Sequence, residues 1–262
     1  MTLLEAIILG LVQGLTEFLP VSSSGHLVLT QALFGLDEPG VTLEVMLHVG
    51  TLFSVFWVFR RDFIELFNFH RDRRQRYFIL MLILGVIPTG LIGFFFSGYT
   101  DALFSSTLLV GFMLLITGTI LKLLTIIPAG LKSVEKMNYK DALWIGILQG
   151  MAVIPGISRS GSTIAAALWR GLDRETAVRY SFMLSAPVIF GASLFEFREM
   201  LQVGVESEMI INYLVGGVFS FFAGVLAIRT FIKLLREQKF YLFAFYCWGV
   251  GTLVIAISLL SG

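Results

Sequence analysis

The sequence predicts an all-α polytopic membrane protein built as an inverted-topology repeat, in which each half is a re-entrant helical hairpin followed by three transmembrane helices. Three observations predict this fold. Of the 262 residues, 56% are hydrophobic and only 14% are charged, whereas a soluble domain carries about a quarter charged residues. The basic residues fall into a few segments, and one polar motif occurs twice. We expect a single membrane domain over residues 1–262, with repeats over about 1–128 and 137–262.

Six apolar runs are long enough to cross a bilayer, which takes roughly 20 residues of helix. They are residues 43–59, 77–97, 107–128, 180–197, 209–228 and 241–260. Cys247, the only cysteine, lies in the last run, so no disulfide is available. The sequence before Glu5 has neither a basic region nor a cleavage pattern, and we therefore expect no removable signal peptide.

The distribution of lysine and arginine predicts the path of the chain, because cytoplasmic loops are enriched in both. Sixteen of the nineteen basic residues lie in segments 60–76, 129–140, 170–179 and 229–240. The acidic loops 35–42, 98–106 and 198–208 alternate with them. With the basic segments inside, residues 1–35 begin and end outside, and residues 141–169 begin and end inside. Two hairpins would then enter from opposite faces, and both termini would lie outside.

The first hairpin carries polar groups where a membrane tolerates them only for a function. It contains the stretch GLVQGLTEFLPVSSSGHLVL, from Gly10 to Leu29. Gln13 and Glu17 are four residues apart, a spacing that puts both side chains on one helix face. A proline and three serines then interrupt the helix, and a histidine begins the next apolar run.

The second hairpin repeats this motif 136 residues later, as GILQGMAVIPGISRSGST from Gly146 to Thr163. Six of the sixteen positions from Gly10 to Gly25 are identical, all of them Gly, Gln or Ser, which indicates an internal duplication. The copies differ at chemically important positions: Glu17 matches Val153, Ser23 matches Arg159, and His26 matches Ser162.

Arg159 needs an anionic partner at membrane depth because a guanidinium cannot lose its charge. Two partners stay open. One is Glu17, in an internal ion pair. The other is a phosphate group, whose oxygens would accept hydrogen bonds from the guanidinium and from backbone N–H groups at the hairpin tips. Gly25, Gly156 and Gly161 would let the backbone approach such a ligand closely.

The serines and His26 offer groups for covalent or acid–base chemistry. One hydroxyl among Ser22, Ser23 and Ser24 would be an activated nucleophile beside His26, which titrates near neutrality and suits a base or an acid. Each serine taken alone more often bonds back to its own helix. His48 has no counterpart in the second copy, and we interpret it as structural.

Gln13 and Glu17 offer two oxygen ligands. Proteins often hold Mg²⁺ with so few side chains when a substrate phosphate supplies further ligands. Soft ligands for zinc are missing from the motifs. No G-x-x-x-x-G-K motif is present, which argues against nucleotide hydrolysis.

These residues resemble a known family, the undecaprenyl-pyrophosphate phosphatases of the bacitracin-resistance type. That family carries E/Q-x-x-x-E, S-S-x-G-H and P-G-x-S-R-S-x-x-T motifs, which match Gln13–Glu17, Ser22–His26 and Pro155–Thr163 in order. The resemblance implies hydrolysis of undecaprenyl diphosphate to the monophosphate and phosphate, which recycles the lipid carrier of cell-wall synthesis. It also implies a bacterial inner membrane, a site open to the outer face, and a divalent cation, Mg²⁺ or Ca²⁺.

Carried over residue by residue, the resemblance implies catalytic roles for Glu17, Ser23, His26 and Arg159. The remaining motif positions are expected to bind substrate: Ser22, Ser24, Gly25, Gly156, Ser158, Ser160 and Thr163. Many relatives have Glu where this chain has Gln13, which removes one charge from the expected metal site. We expect a polyprenyl diphosphate substrate and contact with membrane lipids but no nucleic-acid partner, and the sequence leaves open whether the chain forms a homodimer.

Two other classes share part of the pattern. The type 2 phosphatidic-acid phosphatases contain S-G-H and S-R, but they also need a His and an Asp at the positions of Ala165 and Trp169, and we reject that class. A secondary transporter or lipid flippase would share the inverted repeat and the polar site. Release of phosphate from a lipid diphosphate in detergent, where no gradient exists, distinguishes a phosphatase from a transporter.

Overall fold

The computed structural model describes residues 1–36, 41–128, 130–203, 209–237 and 239–261 of the chain. Their secondary structure is α-helical, with short 3₁₀ turns. The helices are α1 (Leu3–Phe18), α2 (Ser23–Phe34), α3 (Val41–Val58), α4 (Arg60–Leu66), α5 (Arg73–Phe96), α6 (Thr100–Phe104), α7 (Thr107–Leu124), α8 (Tyr139–Met151), α9 (Arg159–Trp169), α10 (Arg174–Val203), α11 (Ile210–Arg236) and α12 (Tyr241–Ser261). Asp37 and Glu38 of the acidic loop 35–42, and Glu206 and Glu208 of the acidic loop 198–208, lie outside the described residues.

The predicted multi-pass membrane protein is confirmed. Within the described residues, five helices (α5, α7, α10, α11 and α12) are long and apolar enough to span a bilayer. A sixth candidate is α3 together with α4, and the chain bends by 78° between them. Many large apolar side chains point outward, among them Phe94 and Leu260, as lipid-facing helices require.

Helix bounds differ from the apolar runs mainly at the ends. Helix α10 begins at Arg174 rather than residue 180, and α11 continues to Arg236 rather than ending at 228. A helix satisfies its own backbone hydrogen bonds and can therefore continue into polar surroundings, whereas an apolar run reports only its lipid-facing part. Helix α4 lies within the segment that the sequence analysis treated as a basic loop.

Both predicted breaks are present. Helix α1 ends at Phe18 and α2 begins at Ser23, while α8 ends at Met151 and α9 begins at Arg159. Each hairpin packs through glycines against a helix from the other half of the chain. A side chain at Gly10 would collide with Gly216 of α11, and one at Gly146 would collide with Gly85 of α5. Small residues of this kind let membrane helices approach closely.

Candidate active site

The site lies where the N-termini of α2 and α9 meet. Both helices have the same serine N-cap: Ser22 Oγ accepts from the N–H of Gly25 at 3.4 Å, and Ser158 Oγ accepts from the N–H of Gly161 at 3.1 Å. The N–H of Gly156 also donates to Ser22 Oγ, at 3.0 Å, and so joins the two hairpins. Two helix N-termini concentrate partial positive charge and backbone N–H groups, which favours an anionic ligand.

Backbone strain is located at this junction. Ser22 has φ of 70°, and among the described residues it is the only non-glycine with positive φ. Such a conformation costs on the order of 1–3 kcal/mol and persists only when neighbouring contacts impose it. Gly156, with φ of 96°, packs against α7, where a side chain would meet the carbonyl oxygen of Val110. A side chain at Gly25 would also meet the backbone of Gly156, so at these glycines the backbones of the two hairpins approach each other closely.

Glu17 is the centre of the polar network. Its Oε1 accepts from Arg159 Nη2 at 2.8 Å, across the two hairpins. Its Oε2 accepts from the Ser23 hydroxyl at 2.5 Å and from Gln13 Nε2 at 3.1 Å. The Glu17 side chain is only 7% exposed and that of Arg159 only 15% exposed. The carboxylate is thus buried, paired and hydrogen-bonded, as a charge at that depth must be.

Only one of the two terminal guanidinium nitrogens of Arg159 takes part in this ion pair. Its Nη1 is buried and has no hydrogen-bond partner among the described residues. Leaving a buried guanidinium nitrogen unpaired is costly, and in a native protein such a group needs a reason, of which a catalytic role is one. Both partners foreseen for Arg159 are therefore compatible with one geometry: Glu17 holds one nitrogen, and the other is free to bind an oxyanion.

His26 has both ring nitrogens engaged, and neither contacts a serine hydroxyl. Nδ1 lies 2.8 Å from the carbonyl oxygen of Ser22, which can only accept, so Nδ1 carries the proton in this arrangement. Nε2 is then the acceptor for the Tyr246 hydroxyl of α12, at 2.8 Å. The two rings stack at 5.6 Å between centroids. The expected pairing of His26 with a serine nucleophile is absent, and Glu17 takes that position instead.

The other motif residues mostly bind one another. The hydroxyls of Ser22 and Ser24 lie 3.3 Å apart, as do those of Ser158 and Ser160 in the second copy. Thr163 donates to the Arg159 carbonyl at 2.9 Å and lies within hydrogen-bond distance of Ser181. In this geometry Ser158, Ser160 and Thr163 are buried and fix the start of α9, and hence the position of Arg159.

Two residues that support the site were not identified from the sequence. Tyr246 is 220 positions from His26, and no motif links them. Thr117 of α7 donates to the Gly156 carbonyl and accepts from the N–H of Ser158, so it supports the second hairpin.

The oxygens on this face of α1 fit a hard divalent cation. Gln13 Oε1 is buried and lacks a hydrogen-bond partner among the described residues, and the Glu17 carboxylate lies one turn away. No group of three His, Cys, Asp or Glu side chains that could hold a metal occurs among the described residues. Mg²⁺ suits such a sparse set because substrate phosphates and water supply its remaining ligands, whereas Ca²⁺ takes six to eight oxygens.

Comparison with known proteins gives a consistent result. The family described as "Bacitracin resistance protein BacA" matches residues 6–253. The undecaprenyl-diphosphatase of Halothermothrix orenii is 46% identical over 258 residues, which are 98% of this chain and 99% of that protein. The undecaprenyl-diphosphatase of Alkaliphilus metalliredigens is 44% identical and covers 99% of this chain and 100% of its own length. Undecaprenyl-diphosphatase 4 of Bacillus thuringiensis is 42% identical over 98% of both chains.

Proposed function

Because the chain belongs to the bacitracin resistance protein BacA family, we propose that it hydrolyses undecaprenyl diphosphate to undecaprenyl phosphate and inorganic phosphate. The observation that carries the proposal is the contact of Arg159, Glu17 and Ser23 between two helix N-termini. That arrangement combines a nucleophile, a base and an anion-binding group within one buried site. Relatives similar over their whole length are named for this activity, and nothing observed favours the transporter or flippase.

Arg159 and the helix N-termini bind the diphosphate. The unpartnered Nη1 of Arg159 takes a phosphate oxygen while Nη2 stays on Glu17. In phosphoryl transfer, charge spreads over the equatorial oxygens of the transferred group, so donors held in place stabilise the transition state more than the ground state.

Ser23 is the proposed nucleophile. Its Oγ attacks the terminal phosphorus, and its proton passes to Glu17 Oε2, to which it is already hydrogen-bonded at 2.5 Å. The bond between the terminal phosphorus and the bridging oxygen breaks, and undecaprenyl phosphate leaves with the electron pair. Water then hydrolyses the phosphoserine and regenerates the enzyme. Glu17 thus acts as the base of this step, one of the two roles for which the sequence suits His26.

His26 acts through Tyr246. With the proton on Nδ1 held by the Ser22 carbonyl, Nε2 is the ring atom left for proton transfer, and the Tyr246 hydroxyl occupies it. The pair is therefore suited to act as the base of the second step: Nε2 takes a proton from the attacking water through the Tyr246 hydroxyl, while Glu17 returns its proton to Ser23 Oγ as the bond from phosphorus to that oxygen breaks. Gln13 and Glu17 would hold a divalent cation, which when bound neutralises charge on the diphosphate.

We further propose that the fold is an inverted repeat in the bacterial inner membrane, with the site open to the outer face. The packing supports the repeat: α1 contacts α11 while α8 contacts α5, so equivalent hairpins pack on equivalent spans of the opposite half. The equivalent glutamines Gln13 and Gln149 each leave a buried Oε1 without a partner among the described residues. This exchange of hairpins between halves also supports one domain over 1–262.

The topology is tested at the termini. Cysteines introduced as Thr2→Cys and Ser261→Cys in a Cys247→Ala background should both react with an impermeant thiol reagent in cells whose outer layers are permeabilised. Both termini lie outside in the proposed arrangement because the basic segments lie inside. Protection of either cysteine would contradict the inverted repeat.

The activity is tested with the full-length protein in detergent, where no gradient exists. We expect release of inorganic phosphate and undecaprenyl phosphate from undecaprenyl diphosphate. Arg159→Ala should abolish the release, and Arg198→Ala, which removes an exposed arginine on α10, should leave it intact. A folded wild-type protein that binds the lipid without releasing phosphate would refute the phosphatase and favour the transporter.

A further inference from the structure

A groove on the outer surface of the helix bundle runs between α3 and α11, and none of the motif residues line it. Its volume is about 760 Å³, within the range of small-molecule sites. Gly50 and Gly217 let the backbones of the two helices meet, and the side chains that line the groove include Phe53 of α3 and Phe222 of α11. Every lining residue is apolar except Arg60, which lies at one end.

The position of Arg60 identifies the membrane surface. Helix α3 ends at Val58, and α4 turns away by 78° from Arg60 onward, so the chain leaves the bilayer direction at this residue. From Met46 to Trp57 the groove follows α3 for about 17 Å, at about 1.5 Å per residue. One leaflet of the hydrocarbon core is about 15 Å thick. The groove therefore has the depth of a single leaflet, with a cation at the level of the lipid headgroups.

No carboxylate of the described residues neutralises the charge of Arg60. Its guanidinium lies over the Trp57 ring at 5.6 Å and donates to the Trp57 carbonyl at 3.0 Å. The carboxylates of the same helix are engaged elsewhere, because Asp62 and Glu65 both pair with Arg179. Among the ion pairs of the described residues, none includes Arg60. A planar guanidinium fixed by an aromatic ring retains N–H donors for a phosphate group.

We propose that this groove binds one anionic phospholipid, with an acyl chain along the groove and the headgroup phosphate on Arg60. The apolar side chains of the groove would bury an acyl chain of any lipid. Arg60 would favour a lipid with net negative charge over a zwitterionic lipid. The site is separate from the phosphatase motifs, and the proposal does not rest on the proposed activity.

Trp57 reports occupancy directly because it lines the groove. In a variant whose other three tryptophans are replaced by Phe, reconstituted in nanodiscs, brominated phosphatidylglycerol should quench Trp57 fluorescence more strongly than brominated phosphatidylcholine. We expect a preference of roughly fivefold in association, the factor that one basic residue contributes at a membrane surface. Arg60→Gln should abolish the preference. Arg61→Gln, which removes the same charge next to the groove, should retain it. Val218→Phe, which fills the groove, should weaken quenching by both lipids.

Native mass spectrometry of the unmodified chain and of Arg60→Gln gives a second measurement that needs no tryptophan replacement. Wild-type protein should retain one phosphatidylglycerol, and Arg60→Gln should lose it. Equal quenching by both lipids would overturn the proposal, as would an equal effect of Arg61→Gln, which would indicate diffuse surface charge. Displacement of phosphatidylglycerol by undecaprenyl phosphate at equal concentration would also overturn it and identify the groove as a prenyl-chain site.

Discussion

Replacing Arg159 separates its electrostatic role from its geometric role. In the structure Nη2 holds Glu17 at 2.8 Å, while Nη1 is buried without a partner among the described residues. Arg159→Lys retains the positive charge, but one ammonium group cannot reproduce a planar fork that reaches a carboxylate and a phosphate together. We therefore expect the lysine variant to keep the pairing with Glu17 and to lose the contact with substrate.

The two substitutions differ in their expected magnitudes. Loss of one preorganised donor to a transition-state oxyanion costs about 3 kcal/mol, or about a hundredfold in kcat. Arg159→Lys should lose that much activity with little change in thermal stability. Arg159→Ala should also lose about 3 kcal/mol of folding free energy, because Glu17 is left as a buried charge. The hydrogen bonds of Ser23 and Gln13 to Glu17 stay in place and keep that loss below the upper end of the range.

The assay measures phosphate release and thermal unfolding of each variant in the same detergent. A double variant, Arg159→Ala with Glu17→Gln, provides the control: removing both charges should restore thermal stability without restoring turnover. If Arg159→Lys turns over at a near-normal rate while Arg159→Ala is unstable, Arg159 is a structural partner of Glu17 and does not bind the phosphoryl group.

Three further variants test individual roles. Tyr246→Phe removes one hydroxyl and keeps the ring stacked on His26, so kcat should fall about tenfold, the value of one hydrogen bond, with little change in KM; Tyr241→Phe on the same helix should have no effect. Ser23→Ala should eliminate the phosphoserine that acid quenching traps from labelled substrate, and Ser24→Ala should retain it. Gln13→Glu should lower the Mg²⁺ concentration that gives half-maximal activity, since a second carboxylate strengthens a hard-cation site.

Each of these expectations has a contrary outcome. Unchanged kcat in Tyr246→Phe would show that its hydroxyl serves only to pack α12 against α2. Full activity in Ser23→Ala would establish direct attack by water, with Glu17 orienting it. Overlapping Mg²⁺ titrations for the wild type and Gln13→Glu would remove Gln13 from the cation site.

Sequence reasoning anticipated the site best where the chemistry is local. Gln13 and Glu17 share a helix face because they are one turn apart. The N-caps at Ser22 and Ser158 were identified only in the structure. The sequence also offers Glu17 as one of two open partners for Arg159, since a buried guanidinium and a buried carboxylate in the same apolar chain require partners. The sequence does not show that Arg159 can pair with Glu17 and still leave Nη1 without a partner, because Glu17 and phosphate were treated as alternative partners.

The hydropathy and charge of the chain by themselves determined that this is a multi-pass helical membrane protein, and its motifs determined the family. These properties depend on composition and on spacing over a few residues, which are set before the chain folds. Only the tertiary structure decided that Tyr246 holds His26 and that Ser23 donates its proton toward Glu17. Those contacts depend on how α12, α1 and α2 pack, and packing in a membrane follows the fit of small residues and side-chain shapes between helices, which has no periodic signature along the sequence.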